Sequence, residues 1–452
     1  MEGNTSEQNF FGAESIGKIL LKIAPPVMLA QLIQALYNVV DSFFVGKYSD
    51  DALTAVTVVY PIQLIIVAVA VGTGVGVNTY MARKYALNQP EKADATAGTG
   101  QVLALLSWAL FALVSYFIMP PYVRTSATEP AAIEQAVTYG RIVCVGSLGT
   151  FLEGNWSKVH QSRGNMKLPM LAQVAGALTN VVLDPILIFG LGPIPEMGVA
   201  GAAYATVIGQ FISAIIVGIR GFCKPPKAKD AVRLAGKIYH YGYSSILMQS
   251  LYTVYIVMLN IILSGFSDSA VTVLGLYYKL QSFFFIPLFG LQTCIVPVLS
   301  FNCTRKSYKR CKDTMRDSFI ISLVFMILGT VCFVALPEPL MRLFSGSEQV
   351  IAIGKKAFPI IGCSFFAAVF SLIMPTFFQA IGNGLASIML SLTRQIFVLV
   401  PVFWAFSKVG LDYTWIAFPV AEVTAGVIGL LLYRRQTKKW DLESAALEKT
   451  KI

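Results

Sequence analysis

Residues 198–219 read GVAGAAYATVIGQFISAIIVGI, a run of 22 residues without one charged side chain. Apolar runs of about 20 residues recur along the whole chain, and a helix needs that length to cross the hydrocarbon core of a bilayer. The 452 residues are 56% hydrophobic and only 13% charged, whereas soluble domains carry about 25% charged residues. These figures exclude a soluble domain, a disordered chain and a disulfide-rich secreted module. The sequence predicts an integral membrane protein.

The apolar segments predict an all-α fold of twelve transmembrane helices. At roughly 30–40 residues per span with its loop, the chain has room for about a dozen crossings. The spans are expected at 18–46, 52–82, 96–119, 133–160, 168–190, 198–220, 238–264, 270–300, 316–336, 350–379, 384–408 and 412–433. Because twelve is even, both termini are expected on the same face.

The basic residues collect on one face of this topology. Of the 35 Lys and Arg residues, 26 fall in the tails and loops of one face and seven on the opposite face. Loops rich in Lys and Arg stay in the cytoplasm, so both termini are expected there, in the plasma membrane of a bacterium. The net charge of +11 is therefore a topology signal that requires no nucleic-acid partner. The expected partners are the lipid bilayer and a drug-like small molecule, and the protein is expected to be a monomer.

The sequence carries no signature of catalysis. Its seven cysteines lie in spans or cytoplasmic loops and are expected to be reduced, and no Cys or His spacing predicts a metal cluster. A membrane-embedded enzyme would need a nucleophile with a base, or a metal, within the spans. We therefore expect no enzyme and no cofactor other than H⁺ or Na⁺ as a coupling ion. A channel or a structural membrane protein remains an alternative of another class.

An internal repeat organises the chain. A displacement of 218 residues aligns, without a gap, Tyr37 with Tyr255, Tyr60 with Tyr278, Arg124 with Arg342, and Gly164-Asn165 with Gly382-Asn383. Six spans per half make this a parallel repeat, so we expect two lobes related by a pseudo-two-fold axis along the membrane normal. The predicted domains are a cytoplasmic N-terminal tail (1–17), an N-lobe of helices 1–6 (18–220), a cytoplasmic linker (221–237), a C-lobe of helices 7–12 (238–433) and a cytoplasmic C-terminal tail (434–452).

Two acids lie inside spans of the first half with no basic partner in that half. Asp41 lies about five residues from the outer end of the first span, and Asp184 about six from the outer end of the fifth, so their depths match. An Asp at mid-bilayer costs about 2.5–3.5 kcal/mol and is therefore a functional-site candidate. Asn180 shares a helix face with Asp184. The sixth span brings Ala202 and Thr206 to the same level.

These groups predict a site for a coupling ion. The residues expected to couple H⁺ or Na⁺ are Asp41, Asn180, Asp184, Thr206 and Ala202. Oxygen atoms of the first four of these suit Na⁺, and the acids alone can share one proton. The alternative is a hydrogen-bonded polar cluster that only fixes helix packing. In the second half Asp41 is replaced by Leu259, so the ion chemistry is expected in the first half alone.

Other polar and aromatic residues predict a substrate cavity. Glu153 on the fourth span is expected to line it, although an intrahelical pair with Lys158 is an equal alternative. The remaining candidates are Gln34, Tyr37, Asn38, Asn155, Met28, Tyr255 and Gln281, and core packing is the alternative for the Met and Tyr residues. In the second half, Arg394 and Glu422 are expected to neutralise each other as a structural pair.

Several motifs resemble one known family. They are Gln31…Tyr37-Asn38-x-x-Asp41-Ser42, the Gly164-Asn165 loop with its repeat at Gly382-Asn383, Asn180-x-x-x-Asp184-Pro185, and Gly198-x-x-Gly201-Ala202-Ala203-x-Ala205-Thr206. Together they resemble the multidrug and toxic compound extrusion (MATE) transporters of the MOP flippase superfamily, bacterial type, over residues 18–433. The resemblance implies two six-helix lobes and a first-lobe cation site at Asp41, Asn180, Asp184 and Thr206.

The resemblance also implies the export of cationic or amphipathic compounds in exchange for H⁺ or Na⁺, by alternating access. Two positions depart from the family's pattern. The seventh span carries no acid and Asn383 stands where an Asp is common, so a second-lobe cation site is not expected. Gln161 replaces a frequent Arg, with Arg163 nearby. A lipid or lipid-linked oligosaccharide flippase of the same superfamily is the alternative transporter.

Overall fold

The computed structural model describes residues 10–124, 129–342 and 347–449, and all regular secondary structure in these ranges is helical. The first half contains α1 (Phe10–Ala13), α2 (Ile16–Tyr48), α3 (Asp50–Ala86), α4 (Pro90–Arg124), α5 (Pro130–Gly146), α6 (Leu148–Ser162), α7 (Lys167–Phe189) and α8 (Gly198–Gly221). The second half contains α9 (Ala228–Ser264), α10 (Asp268–Phe284), α11 (Ile286–Thr304), α12 (Tyr308–Ala335), α13 (Pro337–Arg342), α14 (Glu348–Gly362), α15 (Phe365–Ala380), α16 (Gly384–Leu392), a π-helix (Thr393–Leu399), α17 (Val400–Ser407), α18 (Leu411–Thr414) and α19 (Ala417–Lys449).

These helices provide the predicted membrane crossings. In the described ranges, ten helical segments are each long and apolar enough to span a bilayer, and the pair α14–α15, bent by 57°, provides an eleventh. The pair α5–α6, interrupted at Ser147, completes the twelve. The predicted all-α membrane fold is therefore confirmed.

The contacts divide the chain into two compact units. The first unit comprises Phe10 with Pro25–Ile246, and the second comprises Phe11–Ala24 with the residues from Leu247 onward. Each division falls inside a long helix, in α2 before Pro25 and in α9 after Ile246. The lobes at 18–220 and 238–433 were assigned from span topology rather than from contacts, so those limits stay a prediction.

Glycines let the helices of the first unit approach closely. A Cβ on Gly201 of α8 would lie 2.5 Å from the backbone of Leu187 on α7, and a Cβ on Gly76 of α3 would lie 2.1 Å from the carbonyl oxygen of Ile238 on α9. Small residues are needed at such contacts because helix association in lipid depends on van der Waals packing rather than on the hydrophobic effect. The backbones of α7 and α8 therefore touch beside the candidate site.

The internal repeat extends to local structure. Gly164 and Gly382 both have a positive φ, 82° and 88°, which glycine adopts without a steric penalty. In each following Asn, Asn165 and Asn383, the side-chain oxygen accepts a hydrogen bond from the backbone N–H three residues on, at 3.2 and 3.3 Å. The two loops thus start the next helix in the same way, at positions 218 residues apart.

The π-helix Thr393–Leu399 distinguishes the second unit. It is followed closely by Pro401, which lacks an amide hydrogen and cannot continue regular helical bonding to the preceding turn. π-helical segments in α-helices are rare and occur frequently at functional sites. This one carries two buried polar side chains, Arg394 and Gln395.

The close α7–α8 contact gives a test of the fold. We expect Gly201→Ala to destabilise the protein by about 1–3 kcal/mol, because the new methyl group must displace the Leu187 backbone. Gly275→Ala is the matched control, since Gly275 also lies in a helix but has nothing within 4 Å of its Cβ position. Thermal unfolding in detergent should show a lower Tm for Gly201→Ala only. Equal Tm values for the two variants would contradict the close contact.

Candidate functional site

The two span acids meet inside the first unit. Asp41 on α2 and Asp184 on α7 have carboxyl groups within hydrogen-bonding reach of each other. Asp184 is fully buried, and Oδ1 of Asp41 is buried with no hydrogen-bond partner in the described chain. Two carboxylates in contact repel each other when both are ionised, and a proton or a cation between them removes that repulsion.

Asn180 connects the acid pair to α8. In the amide orientation that satisfies both ends, its NH₂ group donates to Asp184 Oδ2 at 3.3 Å and its carbonyl oxygen accepts from the backbone N–H of Thr206 at 3.1 Å. Asn180 is itself only 3% exposed. The predicted residues Asp41, Asn180, Asp184 and Thr206 are therefore brought together, and the amide presents a hydrogen-bond donor to the carboxylate.

The acid pair has no basic partner. In the described ranges, neither Asp41 nor Asp184 forms a salt bridge, and the first unit's ion pair lies elsewhere, between Arg163 and Asp94. Pro185 follows Asp184 inside α7 and leaves the carbonyl of Val181 without its helical donor, which adds another acceptor beside the acid. The local charge is therefore left for a mobile cation to balance.

Tyrosines enclose the acid pair, and sequence reasoning found only one of them. Tyr37 and Tyr139 both lie close enough to Asp41 and Asp184 for their charges to interact. Tyr139 is 2% exposed and lies within 3.4 Å of the Gln63 amide. The repeat matched Gln63 with Gln281, which was a usable signal, but no sequence pattern pointed to Tyr139.

A cavity of about 150 Å³ opens beside Asn180 and Thr206. Its lining includes the predicted residues Gln34, Tyr37 and Glu153 and also Gln173, Gln210 and Ser213, which sequence reasoning missed. The Glu153 carboxylate accepts a hydrogen bond from Ser157 Oγ at 2.6 Å. The cavity thus has polar walls and one carboxylate, and it shares two residues with the acid pair.

The other predicted first-half residues lie outside this lining. Asn38 is exposed and Met28 is partly buried. Asn155 is 2% exposed and packs against Gly100 of α4. Ala202 is fully buried one turn before Thr206, where its small side chain fits the close packing of α8.

The remaining two candidates belong to the second unit. Tyr255 is 2% exposed and Gln281 is 7% exposed. Tyr255 packs with Tyr252 and Tyr278 at ring-centroid distances of 5.5 and 6.2 Å. A role for either residue in substrate binding stays a prediction.

Arg163 ties helix ends of the first unit together. Its guanidinium donates to Tyr85 Oη at 3.1 Å, to Asp94 Oδ1 at 3.1 Å and to the carbonyl oxygen of Arg220 at 2.9 Å. Gln161 only accepts from Lys158 Nζ at 2.9 Å. The basic contact near this loop is therefore made by Arg163.

A repeated bundle of membrane-crossing helices with a buried, uncompensated acid pair beside a polar cavity has the features of a membrane transporter. A family model described as MatE matches residues 26–186 and again 244–404. The second match begins and ends 218 residues after the first, which is the displacement of the internal repeat. The chain belongs to the MatE family, whose members are transporters and not enzymes.

Two relatives are similar over nearly their whole length. The "FAD transporter" of Shewanella oneidensis is 25% identical over 93% of this chain and 95% of its own. The "Probable multidrug resistance protein NorM" of Thermotoga maritima is 25% identical, with 96% of each chain covered. The expected resemblance to the MATE transporters is confirmed.

Solved structures share the fold. One described as an "Outward-facing conformation of a multidrug resistance MATE family transporter of the MOP superfamily" has a TM-score of 0.89 and 21% identity, covering 97% of this chain and 98% of that chain. A second, a "MOP superfamily transporter from Pyrococcus furiosus", has a TM-score of 0.88 and 22% identity, covering 97% and 98%.

The crowded acids give a test of their electrostatics. We expect Asp184→Asn to raise the Tm at alkaline pH, because the amide removes one of two charges buried side by side without a base. The gain should shrink as the pH falls, since a proton then neutralises the wild-type pair. Unfolding in lipid nanodiscs across pH measures this, with exposed Asp230→Asn as the control. A lower Tm than wild type at alkaline pH would overturn this view of the pair.

Proposed function

We propose that the protein is a secondary active exporter of cationic or amphipathic small molecules, driven by the inward movement of H⁺ through one coupling site in the first unit. The observation that carries this proposal is the contact between Asp41 and Asp184 without a basic partner. A buried charge that no fixed group balances must recruit a mobile cation. Multidrug export is also what the printed names of several relatives describe.

A proton fits this site better than Na⁺. Na⁺ needs several oxygen ligands around it, but the Asn180 amide turns its NH₂ toward Asp184 and uses its oxygen on the backbone of Thr206. A donor beside the ion position repels a metal cation, whereas it stabilises the carboxylate that has not taken up the proton. This geometry supports H⁺ as the coupling ion.

The cavity supplies a route from ion to substrate. Asn180 and Thr206 line the cavity and are also bonded to each other and to Asp184. A change in the charge of Asp184 therefore alters the hydrogen bonding of the cavity wall directly. We propose that proton binding repacks α2 against α7 and expels the substrate, with α2 bending near Pro25 and Pro26. The boundary between the contact units falls at Pro25, which supports this hinge.

Glu153 supports a cationic substrate. Its carboxylate lies in the cavity wall, and a carboxylate there attracts a cation and repels an anion such as a flavin dinucleotide or a lipid pyrophosphate. This argues against the flippase alternative and against an FAD cargo. We further propose that the chain acts as a monomer in the bacterial cytoplasmic membrane, with both termini in the cytoplasm.

Neutralising either acid should abolish export. We expect cells expressing Asp41→Asn or Asp184→Asn to accumulate a cationic dye as empty-vector cells do, because the site can no longer exchange a charge. Asp230→Asn, at an exposed position of the same unit, should export normally. Full export by either site variant, at matched expression in the membrane, would refute the proposal.

The coupling ion can be separated by gradients. In proteoliposomes, an imposed pH gradient should drive dye transport, whereas a Na⁺ gradient without a pH difference should not. Transport driven by Na⁺ alone would show that the orientation of Asn180 does not select the ion. Asp184→Asn vesicles serve as the uncoupled control.

The charge of the cavity can be tested with Glu153→Gln. We expect transport of a cationic substrate to fall roughly tenfold, which corresponds to about 1.4 kcal/mol, with little change for a neutral amphipathic substrate. Glu134→Gln, on the exposed face of α5, is the matched control. An equal loss for both substrates would indicate a structural role for Glu153 instead.

A further inference from the structure

A buried ion pair lies in the middle of the second unit. Arg394 of the π-helix and Glu422 of α19 are 9% and 5% exposed. Arg394 Nη2 donates to Glu422 Oε1 at 2.6 Å, and Nε lies 2.9 Å from both carboxylate oxygens. The expected pairing of these residues is confirmed. Position 394 is near the centre of the segment Gly384–Ser407, so both charges are held deep in the apolar span.

Several helices of the second unit converge on this pair. Ser371 Oγ of α15 donates to Glu422 Oε2, and Tyr255 of α9 and Tyr277 of α10 lie near both charges. Tyr277 also packs on Phe418, one turn before Glu422, with ring centroids 5.2 Å apart. The carboxylate is therefore held from several sides and faces a single cation.

The pair has the same kind of surroundings as the acid site of the first unit. There, Tyr37 of the half's first span lies near the acids, and Tyr60 of its second span lies near Tyr37. The residues 218 positions further on are Tyr255 and Tyr278, whose rings are 6.2 Å apart. In both units the remaining polar groups come from the fifth and sixth spans of the half. One unit leaves an acid pair without a fixed cation, and the other holds its acid on an arginine.

We propose that Arg394 is a built-in cation, which fills a latent monovalent-cation site at Glu422 and so prevents the second unit from exchanging ions. A guanidinium is not deprotonated in proteins, and its tether to the π-helix keeps it from leaving. The ligand class of the unmasked site is guanidinium or a small monovalent cation. The comparison with the first unit rests on the proposed coupling at Asp41 and Asp184, but the binding test below requires no transport.

The test removes the tethered cation and supplies a free one. In purified Arg394→Ala in lipid nanodiscs, millimolar guanidinium should produce a saturable rise in Tm, because it re-pairs Glu422. The wild type should show no rise. Arg342→Ala is the matched control, since Arg342 makes similar pairs with Glu338 and Glu348 at 3.0 Å, but with half of its side chain exposed. No response of Arg394→Ala, or an equal response of the Arg342 control, would overturn the proposal.

A neutral double variant tests the same idea without an unpaired charge. Arg394→Gln/Glu422→Gln should fold, because a buried pair replaced by uncharged side chains commonly keeps its stability. It should not respond to guanidinium, and it should move the wild-type number of cations per substrate, since the pair takes no part in exchange. A changed cation number would overturn the proposal. If Arg394→Ala cannot be purified even with guanidinium present, the double variant decides alone.

Discussion

The contact between Asp41 and Asp184 sets the demands that the first unit meets. Ionised groups are expensive in a bilayer, and two of them in contact are more so. The fold tolerates them because α7 and α8 approach through Gly201 closely enough for Asn180 to bond both Asp184 and the backbone of Thr206. The remaining charge is left to a mobile ion. A site that destabilises the empty protein in this way is suited to coupling, since the ion relieves the repulsion when it binds.

The two units treat buried charge differently on a repeated scaffold. The loop at Gly164 recurs at Gly382 with nearly the same φ, so duplication preserved the backbone. The polar groups diverged: one unit has acids without a base, and the other has Glu422 held by Arg394. The π-helix at Thr393–Leu399 places that arginine. A duplicated transporter can thus restrict ion exchange to one half without changing its helices.

Much of the site followed from sequence because depth in a membrane is readable from span length. Asp41 and Asp184 were matched by their distance from span ends, and Asn180 by its spacing of four residues from Asp184. Tyr139, Gln173 and Gln210 escaped because uncharged polar residues in spans carry no comparable energetic signal. Glu153 was undecided between the cavity and Lys158, because helical spacing alone does not say which neighbouring helix its face meets.

The sequence by itself determined the membrane class, the span pattern, the repeat and the residues that violate the apolar rule, since each of these depends on composition and spacing along the chain. Tertiary structure alone decided that Asp41 touches Asp184, which way the Asn180 amide faces, and that Arg394 reaches Glu422. Those facts depend on how separate helices pack side by side. That packing is governed by ångström-scale fits such as Gly201 on Leu187, and no one-dimensional pattern encodes such fits.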